Sequence, residues 1–275
     1  MTLAGTLVFL LLGWDHYMSA RLTILIPVFR ESEWLASSLE PMWGWLRSLA
    51  LSTEDTIDVR FCMWSSGASE DATDVKIVKE FLVTIPAGVV GCVVMGHGPS
   101  PSVVASLRLA LGDMQHPITS PYTLICPVDC SPTAQGLNEV LAWILRAAPG
   151  GWAVFPKVYE GARQPYVMAA SAWLQNHLFS PLLGWHCWTH LFVVPTELLD
   201  EILQPTGFLE DLNLNRRMVT DRGRPFRFRS HARTSARRYA RNGAWRQLGI
   251  NVRIFLRYLL ARRSAADLRT TYDRG

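Results

Sequence analysis

Two adjacent carboxylates, Glu210 and Asp211, stand in the otherwise apolar stretch GFLEDLNLNRRM, which runs from Gly207 to Met218. A carboxylate within hydrogen-bonding reach of a hydroxyl group can accept its proton, which is the work of a general base. A simpler interpretation also exists, because acidic side chains in the first turn of a helix are stabilised by the unpaired N–H groups there. The pair therefore predicts either a proton acceptor or the beginning of a helix.

Two further carboxylates, Asp71 and Asp129, follow apolar runs that are typical of buried strands. Asp71 closes the segment SSGASED, and Asp129 lies within CPVDCSP. Ligands bind beyond the carboxyl ends of parallel strands, so Asp71 and Asp129 stand at plausible active-site positions. The alternative is that Asp129 caps the helix expected to begin near Ala134.

These acidic residues belong to a regular alternation of strands and helices. The runs LTILIP, IDVRFCMW, GVVGCVVM and YTLICP each predict a strand, and a helical pattern follows each one. The first helix is expected from Glu31 towards Ala50, with Pro41 kinking or dividing it. Such an alternation predicts a parallel sheet covered by helices on both faces. Ligands bind beyond the carboxyl ends of such strands, which here are residues 27–31, 65–71 and 128–131.

The second half of the chain is less regular. WAVFPKVY and HLFVVP predict strands on either side of a helix near Val167 to Leu178, and PFRFRS predicts a short strand. The basic segment from Ser235 to Arg263 is expected to be largely helical. We expect an N-terminal apolar segment over residues 1–20, an α/β domain over 21–232 and a basic helical extension over 233–275.

The charge of the chain is strongly asymmetric. Of the 27 Lys and Arg residues, 17 lie between Arg216 and Arg274, where there are only three acidic residues. This asymmetry suggests an anionic partner, either a membrane surface, a phosphate-bearing ligand or nucleic acid. The run AWRQLGINVRIFLRYLLARR has the pattern of an interfacial helix; a helix packed on the domain with a solvated Arg face is the alternative. Nucleic acid is not expected, since no binding motif is recognised.

Composition and cysteine usage describe a globular protein of a reducing compartment. The chain has 275 residues, of which 49% are apolar and 18% charged. Its five cysteines form no CxxC pair and suggest no disulfide framework. The apolar N-terminal run is shorter than a membrane span requires and lacks the features of a signal peptide. We expect a cytoplasmic protein, with association at a membrane surface as one of the two interpretations of its basic tail.

Four segments resemble the family 2 glycosyltransferases. LTILIPVFRESEWL is similar to the opening strand of that family, GASEDAT to its nucleotide-binding loop, LICPVDCSP to its metal-binding D-x-D region and GFLEDLNLNRRM to its E-D helix. The tail, including TSARRYARNG, is closest to the subfamily associated with arsenosugar biosynthesis. The resemblance covers about Leu22 to Tyr272 and is most specific from Gly207 to Tyr258.

The resemblance implies a GT-A-type fold, with a mostly parallel sheet flanked by helices, and an inverting sugar transfer. The donor would be a nucleotide-sugar, bound with a divalent metal, Mn²⁺ or Mg²⁺, and the acceptor is not identified. Asp129 matches the retained metal aspartate, Asp211 matches the base, and Glu210 would support or orient the site. The matching donor-binding positions are Pro27, Glu31, Ser66, Asp71 and Asp129.

The donor-binding segments also depart from the family pattern. Ser66 stands where the family has an aspartate, Arg30 stands before Glu31 where it has an asparagine, and GHGPSPSVV lacks an expected arginine. CWTH replaces a G-D-Q sequence, and it belongs to GWHCWTHLFVV, which has two Trp and two His residues. That segment predicts either an acceptor wall formed by Trp185 or Trp188 with His190 nearby, or core aromatics with surface histidines. The departures suggest a different donor or a glycosyltransferase-like protein of reduced activity, such as a binding or scaffold protein.

Overall fold

A computed structural model describes residues 20–28, 32–48, 56–65, 69–86, 88–97, 103–113, 116–161, 165–204 and 210–261. Within residues 1–20, only Ala20 belongs to this described part. Glu31, Ser66 and the end of the basic tail lie outside it.

Four parallel strands form the centre of the main sheet, in the order β3-β2-β1-β4. They are β1 (Leu22–Val28), β2 (Ile57–Ser65), β3 (Val89–His97) and β4 (Tyr122–Ile125). All seven residues of β1 are buried, and all of them except Thr23 are apolar, as in strands that are covered on both faces. The predicted parallel sheet is confirmed for these four strands.

Helices cover both faces of this sheet, as the alternating pattern predicted. They are α1 (Ser32–Ser48), α2 (Ser69–Leu82), α3 (Val103–Leu111) and α4 (Ala134–Ile144). Side chains of α1, α2 and α4 share one apolar core cluster, and those of α3 share the other. The expected division of α1 at Pro41 is wrong, because one helix continues through this residue. Pro41 lies on the exposed side of the helix, where its ring displaces no core side chain.

Three shorter strands extend the sheet to the order β3-β2-β1-β4-β8-β6-β9. Strand β8 is antiparallel to both β4 and β6, and β9 is parallel to β6. A helical stretch separates β6 from β8, and it continues beyond the predicted end at Leu178. The elements are β6 (Ala153–Val154), α5 (Pro165–Leu174), a π-helical turn (Gln175–Phe179), α6 (Ser180–Leu183), a 3₁₀ turn (Trp188–His190), β8 (Phe192–Pro195) and β9 (Phe226–Arg227).

A second sheet of three strands has the order β5-β10-β7. Its strands are β5 (Cys130–Ser131), β7 (Lys157–Glu160) and β10 (Ala232–Ser235). The single strand predicted for WAVFPKVY is therefore wrong, because β6 and β7 belong to different sheets. Pro156 lies between them and has no N–H group to continue a ladder.

The remaining helices are α7 (Leu199–Ile202), which follows a 3₁₀ turn at Thr196–Leu198, α8 (Glu210–Arg222), α9 (Arg237–Asn242) and α10 (Ala244–Ala261). Helices α9 and α10 confirm the helical character predicted for the basic tail. Among the described helices, none has the length and apolar composition needed to cross a bilayer.

Candidate functional site

The candidate metal ligand Asp129 and the candidate base Asp211 lie at the same edge of the main sheet. Asp129 follows β4 and so lies beyond the carboxyl ends of the parallel strands. Ile125 of β4 is opposite Phe192 of the antiparallel strand β8, so the turn that precedes β8 is at this edge too. Trp188 of that turn donates its backbone N–H to Asp211 Oδ2 at 3.2 Å. The register of β4 and β8 thus places Asp129 and Asp211 at the same edge of the sheet.

Asp129 contacts the basic tail instead of the helix that follows it. Its Oδ2 lies 3.5 Å from Nη2 of Arg237, the first residue of α9. Its backbone carbonyl accepts a hydrogen bond from the N–H of Ser235. Helix α4 is capped by Thr133, whose hydroxyl accepts the N–H of Gly136. The alternative in which Asp129 caps this helix is therefore excluded.

Asp211 lies in the first turn of α8, and its carboxylate reaches beyond its own helix. Oδ1 accepts the N–H of Leu212, whereas Oδ2 accepts the N–H of Trp188. The pKa of Asp211 is raised to about 7, chiefly by burial and next by the nearby Cys187 thiol. The backbone N–H groups of Trp188, Leu212 and Asp211 act in the opposite direction. A carboxyl group with this pKa can hold or release a proton near neutral pH, as a general base must.

Glu210 connects α8 to a different helix. Its side chain is buried, and Oε2 accepts the N–H of Val104 at 3.2 Å. Val104 is in the first turn of α3, where backbone N–H groups have no partner within the helix. Glu210 therefore joins the beginnings of α3 and α8, which fits a residue that positions its neighbour Asp211.

We expect Glu210→Ala to destabilise the fold by about 1–3 kcal/mol, because the buried N–H of Val104 would lose its acceptor. Glu210→Gln retains a carbonyl oxygen at the same position and should restore most of this loss. The free energy of unfolding in urea measures both effects. Equal stability of the Ala variant and the parent would contradict this role of Glu210.

A buried ammonium group lies beside the same turn. Lys157 Nζ donates to Thr189 Oγ1 at 3.0 Å and to Cys187 Sγ at 3.3 Å, and it lies 5.2 Å from the centre of the Tyr159 ring. Within the described part of the chain, no carboxylate lies at ion-pair distance from it. Lys157 therefore places a positive charge next to the residues that border Asp211.

The histidines of this region are neutral. His186 and His190 are both buried, which corrects the expectation of surface histidines. Burial lowers the pKa of each, and for His190 the Lys157 ammonium adds to this effect. His190 Nδ1 accepts the backbone N–H of Cys187. Of the titratable groups beside this turn, Asp211 is thus better suited than either histidine to exchange a proton near pH 7.

The backbone between the turn and β8 is strained. Leu191 has φ 45°, a left-handed value that a non-glycine residue rarely adopts. Such a conformation costs about 1–3 kcal/mol and persists only where the surroundings hold it. Leu191 is fully buried, and the N–H of Phe155 donates to the carbonyl of His190 just before it. This strain lies in the segment that positions Trp188 against Asp211.

The remaining predicted donor-binding residues are placed in part. Pro27 is buried in β1, one residue before its end. Asp71 is the third residue of α2, so the helix begins inside the segment that the sequence predicted to be a loop. Glu31 and Ser66 lie outside the described residues. The donor-binding assignments of these four residues stay predictions.

Sequence reasoning missed Arg237 and Lys157 as residues of this edge. Arg237 was one of many arginines in the tail, and only the tertiary structure distinguishes it from the others. Lys157 left a weak signal, since it is a single charge between the apolar residues of WAVFPKVY. Both cations lie beside candidate site residues and can attract an anionic ligand.

Comparisons with known proteins agree with this architecture. The sequence matches no family model and no curated protein. The structure is similar to that of Staphylococcus aureus TarS residues 1–349, with a TM-score of 0.53 and 14% identity over 91% of this chain and 69% of that chain. It is also similar to the mannosyltransferase PcManGT from Pyrobaculum calidifontis in complex with GDP-Man and Mn²⁺. For PcManGT the TM-score is 0.51 and the identity 16%, over 88% of this chain and 68% of that chain.

At these identities the likeness concerns the fold. The chain has the GT-A type of α/β fold, with a mostly parallel seven-stranded sheet between helices, and the predicted fold class is confirmed. In open sheets of this kind the carboxyl ends of the strands are the usual ligand-binding edge. Asp129 and Asp211 lie at that edge.

Proposed function

We propose that the protein is an inverting glycosyltransferase that moves a sugar from a nucleotide-sugar donor to an acceptor hydroxyl. The observation that carries the proposal is the position of Asp211, whose carboxyl group has a pKa near 7 and is held at the ligand-binding edge by Trp188. The fold shared with PcManGT, which was solved with GDP-Man and Mn²⁺, supports the same class of donor.

In the proposed reaction the acceptor oxygen attacks the anomeric carbon of the donor. The bond from that carbon to the diphosphate oxygen breaks, and the nucleoside diphosphate leaves. Asp211 accepts the proton of the acceptor hydroxyl, and Glu210 holds the first turn of α8 against α3. Pro27 of β1 and Asp71 of α2 are proposed donor contacts, together with Glu31 and Ser66, which follow β1 and β2 in the sequence.

Asp129 is the proposed ligand of a divalent cation. Among the described residues, no three His, Cys, Asp or Glu side chains form a metal-binding group. A single carboxylate nevertheless fits Mg²⁺ or Mn²⁺, because such ions are often held by one or two carboxylates together with the phosphates of the substrate. A bound cation supplies positive charge to the leaving diphosphate. Metal binding should therefore depend on the nucleotide.

This dependence gives a direct test with the full chain. The melting temperature should rise with UDP-glucose or GDP-mannose together with MnCl₂, and by more than with the sugar nucleotide or MnCl₂ alone. Binding that favours the folded state stabilises it by mass action, so about 100-fold excess over the dissociation constant adds about 2.7 kcal/mol. Thermal unfolding across a panel of UDP- and GDP-sugars measures the effect.

A binding or scaffold protein that retains the fold without the activity is the second candidate. It is favoured by the ion pair between Arg237 and Asp129, which occupies the carboxylate proposed for the metal, and by Ser66 in place of an aspartate. No thermal response to any sugar nucleotide, with or without Mn²⁺, would support this candidate.

We propose a cytoplasmic location for the protein under both candidate functions. The free state of all five cysteines agrees with this location.

A further inference from the structure

Helix α10 has an exposed apolar face. Trp245, Val252 and Leu256 are 69%, 46% and 45% exposed. Their spacings of seven and four residues place them on one side of the helix. The opposite side is packed on the domain, where Ala244 and Gln247 are buried. Among the described residues nothing covers the outer face, although burying such side chains normally stabilises a protein.

The charge along α9 and α10 is entirely positive. Residues 237–261 contain six arginines and no acidic residue. Arg246 and Arg253, which are both exposed, lie beside the apolar face on the adjacent side of α10. An apolar stripe bordered by arginines is complementary to a partner that has an apolar interior beneath a negatively charged surface.

The neighbouring helix α5 presents residues of the same kind. It packs against α10, and its outer side exposes Tyr166 and Trp173, which are 88% and 59% exposed. Tyr and Trp side chains combine an apolar ring with a polar group, and they are enriched where a membrane meets water. The two packed helices thus expose three large aromatic rings.

We propose that the face of α10 formed by Trp245, Val252 and Leu256, with Arg246 and Arg253 beside it, docks on the surface of an anionic lipid bilayer. The apolar side chains enter the boundary between headgroups and acyl chains, and the arginines contact the phosphates. Aliphatic residues such as Val252 and Leu256 contribute little to a nucleic-acid interface, so the composition of the face favours lipid. The helix lies along the surface and does not span the bilayer.

Helix α10 lies close in the chain to a residue of the candidate site. Arg237 begins the short helix that precedes α10 and contacts Asp129 at 3.5 Å. The short helix α9 therefore connects the docking helix to the candidate site. Membrane docking does not depend on sugar transfer, because it requires only the exposed apolar face and the positive charge of α10.

Co-sedimentation of the full-length chain with vesicles tests the proposal. The parent should bind mixed phosphatidylserine and phosphatidylcholine vesicles, and salt should weaken this binding. It should bind pure phosphatidylcholine vesicles at least about tenfold more weakly, because the arginines are attracted to an anionic surface and not to a neutral one. Two variants should each lose about tenfold or more in vesicle affinity. One removes the apolar side chains, Trp245→Ser/Val252→Ser/Leu256→Ser, and the other removes the charges, Arg246→Gln/Arg253→Gln.

Matched changes elsewhere serve as controls. Val83→Ser/Leu145→Ser removes exposed apolar side chains, and Arg216→Gln/Arg217→Gln removes exposed charges from α8. Both controls should bind vesicles as the parent does. Circular dichroism melting checks that every variant is folded, which is expected because the replaced side chains are exposed.

Three results would overturn the proposal. The first is vesicle binding by the apolar triple variant that equals that of the parent. The second is no vesicle binding by the parent, accompanied by a dimer in analytical ultracentrifugation that the triple variant lacks, which assigns the face to a second copy of the chain. The third is binding of duplex DNA but not of vesicles, which assigns the arginines to nucleic acid.

Discussion

Asp211→Asn should lower sugar transfer by about 10²–10⁴-fold, the usual contribution of a positioned general base. The asparagine retains the shape of the side chain, and its carbonyl oxygen can still accept the N–H of Trp188. It cannot take the proton of the acceptor. Donor binding should change little, because Asp211 is not among the proposed donor contacts. Release of nucleoside diphosphate from UDP-glucose or GDP-mannose, with water as acceptor, gives the rate, and a thermal-shift titration gives donor binding.

The raised pKa adds a signature in the pH dependence. The base form of Asp211 is the ionised form, so kcat/KM of the parent should rise with pH and level off above about 7. The stability should change in the opposite direction. The folded state raises the pKa of this carboxyl group from 3.8 to about 7, so the fold is penalised as pH rises between these values. Asp211→Asn removes this penalty and should therefore gain melting temperature relative to the parent at pH 8, but not at pH 4.

Asp221→Asn is the matched control, since Asp221 is an exposed acid in the last turn of the same helix. It should leave turnover and the pH profile unchanged. If Asp211→Asn keeps the turnover of the parent, the carboxylate serves only to position the turn at Trp188. That result would remove the base from the proposed mechanism.

The central sheet could be predicted because its signals are local. A strand buried on both faces needs a mainly apolar sequence, and β1, β3 and β4 have one. Strand β2 also contains Asp58 and Arg60, which form an ion pair with each other. The helices between them show the apolar periodicity of elements that cover a sheet. The carboxyl ends of parallel strands meet at one edge, so Asp129 could be assigned to the ligand-binding edge from its place after the fourth run.

The contacts of the site could not be predicted because they join distant parts of the chain. Glu210 accepts the N–H of Val104, 106 residues earlier in the sequence. Strand β5 directly follows Asp129, and β10 lies just before Arg237 in the sequence. The pairing of β10 with β5 therefore brings Arg237 to Asp129. That pairing depends on a second sheet, and two-residue strands such as β5 leave almost no periodic signal. The sequence suggested which carboxylates matter, whereas their partners required tertiary structure.

Asp129→Ala should abolish metal-dependent binding of sugar nucleotides while leaving the fold intact. A loop carboxylate adds little to the core, and its ion pair with Arg237 is partly exposed, so the loss of that pair should cost less than about 1 kcal/mol. The loss of the carboxylate removes the proposed protein ligand of the cation. The rise in melting temperature with GDP-mannose or UDP-glucose and MnCl₂, seen in the parent, should then fall to that with the nucleotide alone.

Arg237→Gln distinguishes a metal ligand from a residue that only positions the tail. If Asp129 acts by holding Arg237 in place, Arg237→Gln should reproduce the loss seen in Asp129→Ala, because either change breaks the same ion pair. If Asp129 binds the cation, Arg237→Gln leaves the carboxylate in place and removes a competing positive charge, so the Mn²⁺-dependent response should persist or increase. Retention of that response in Asp129→Ala would exclude Asp129 as a required ligand, because the cation would then be bound without this carboxylate.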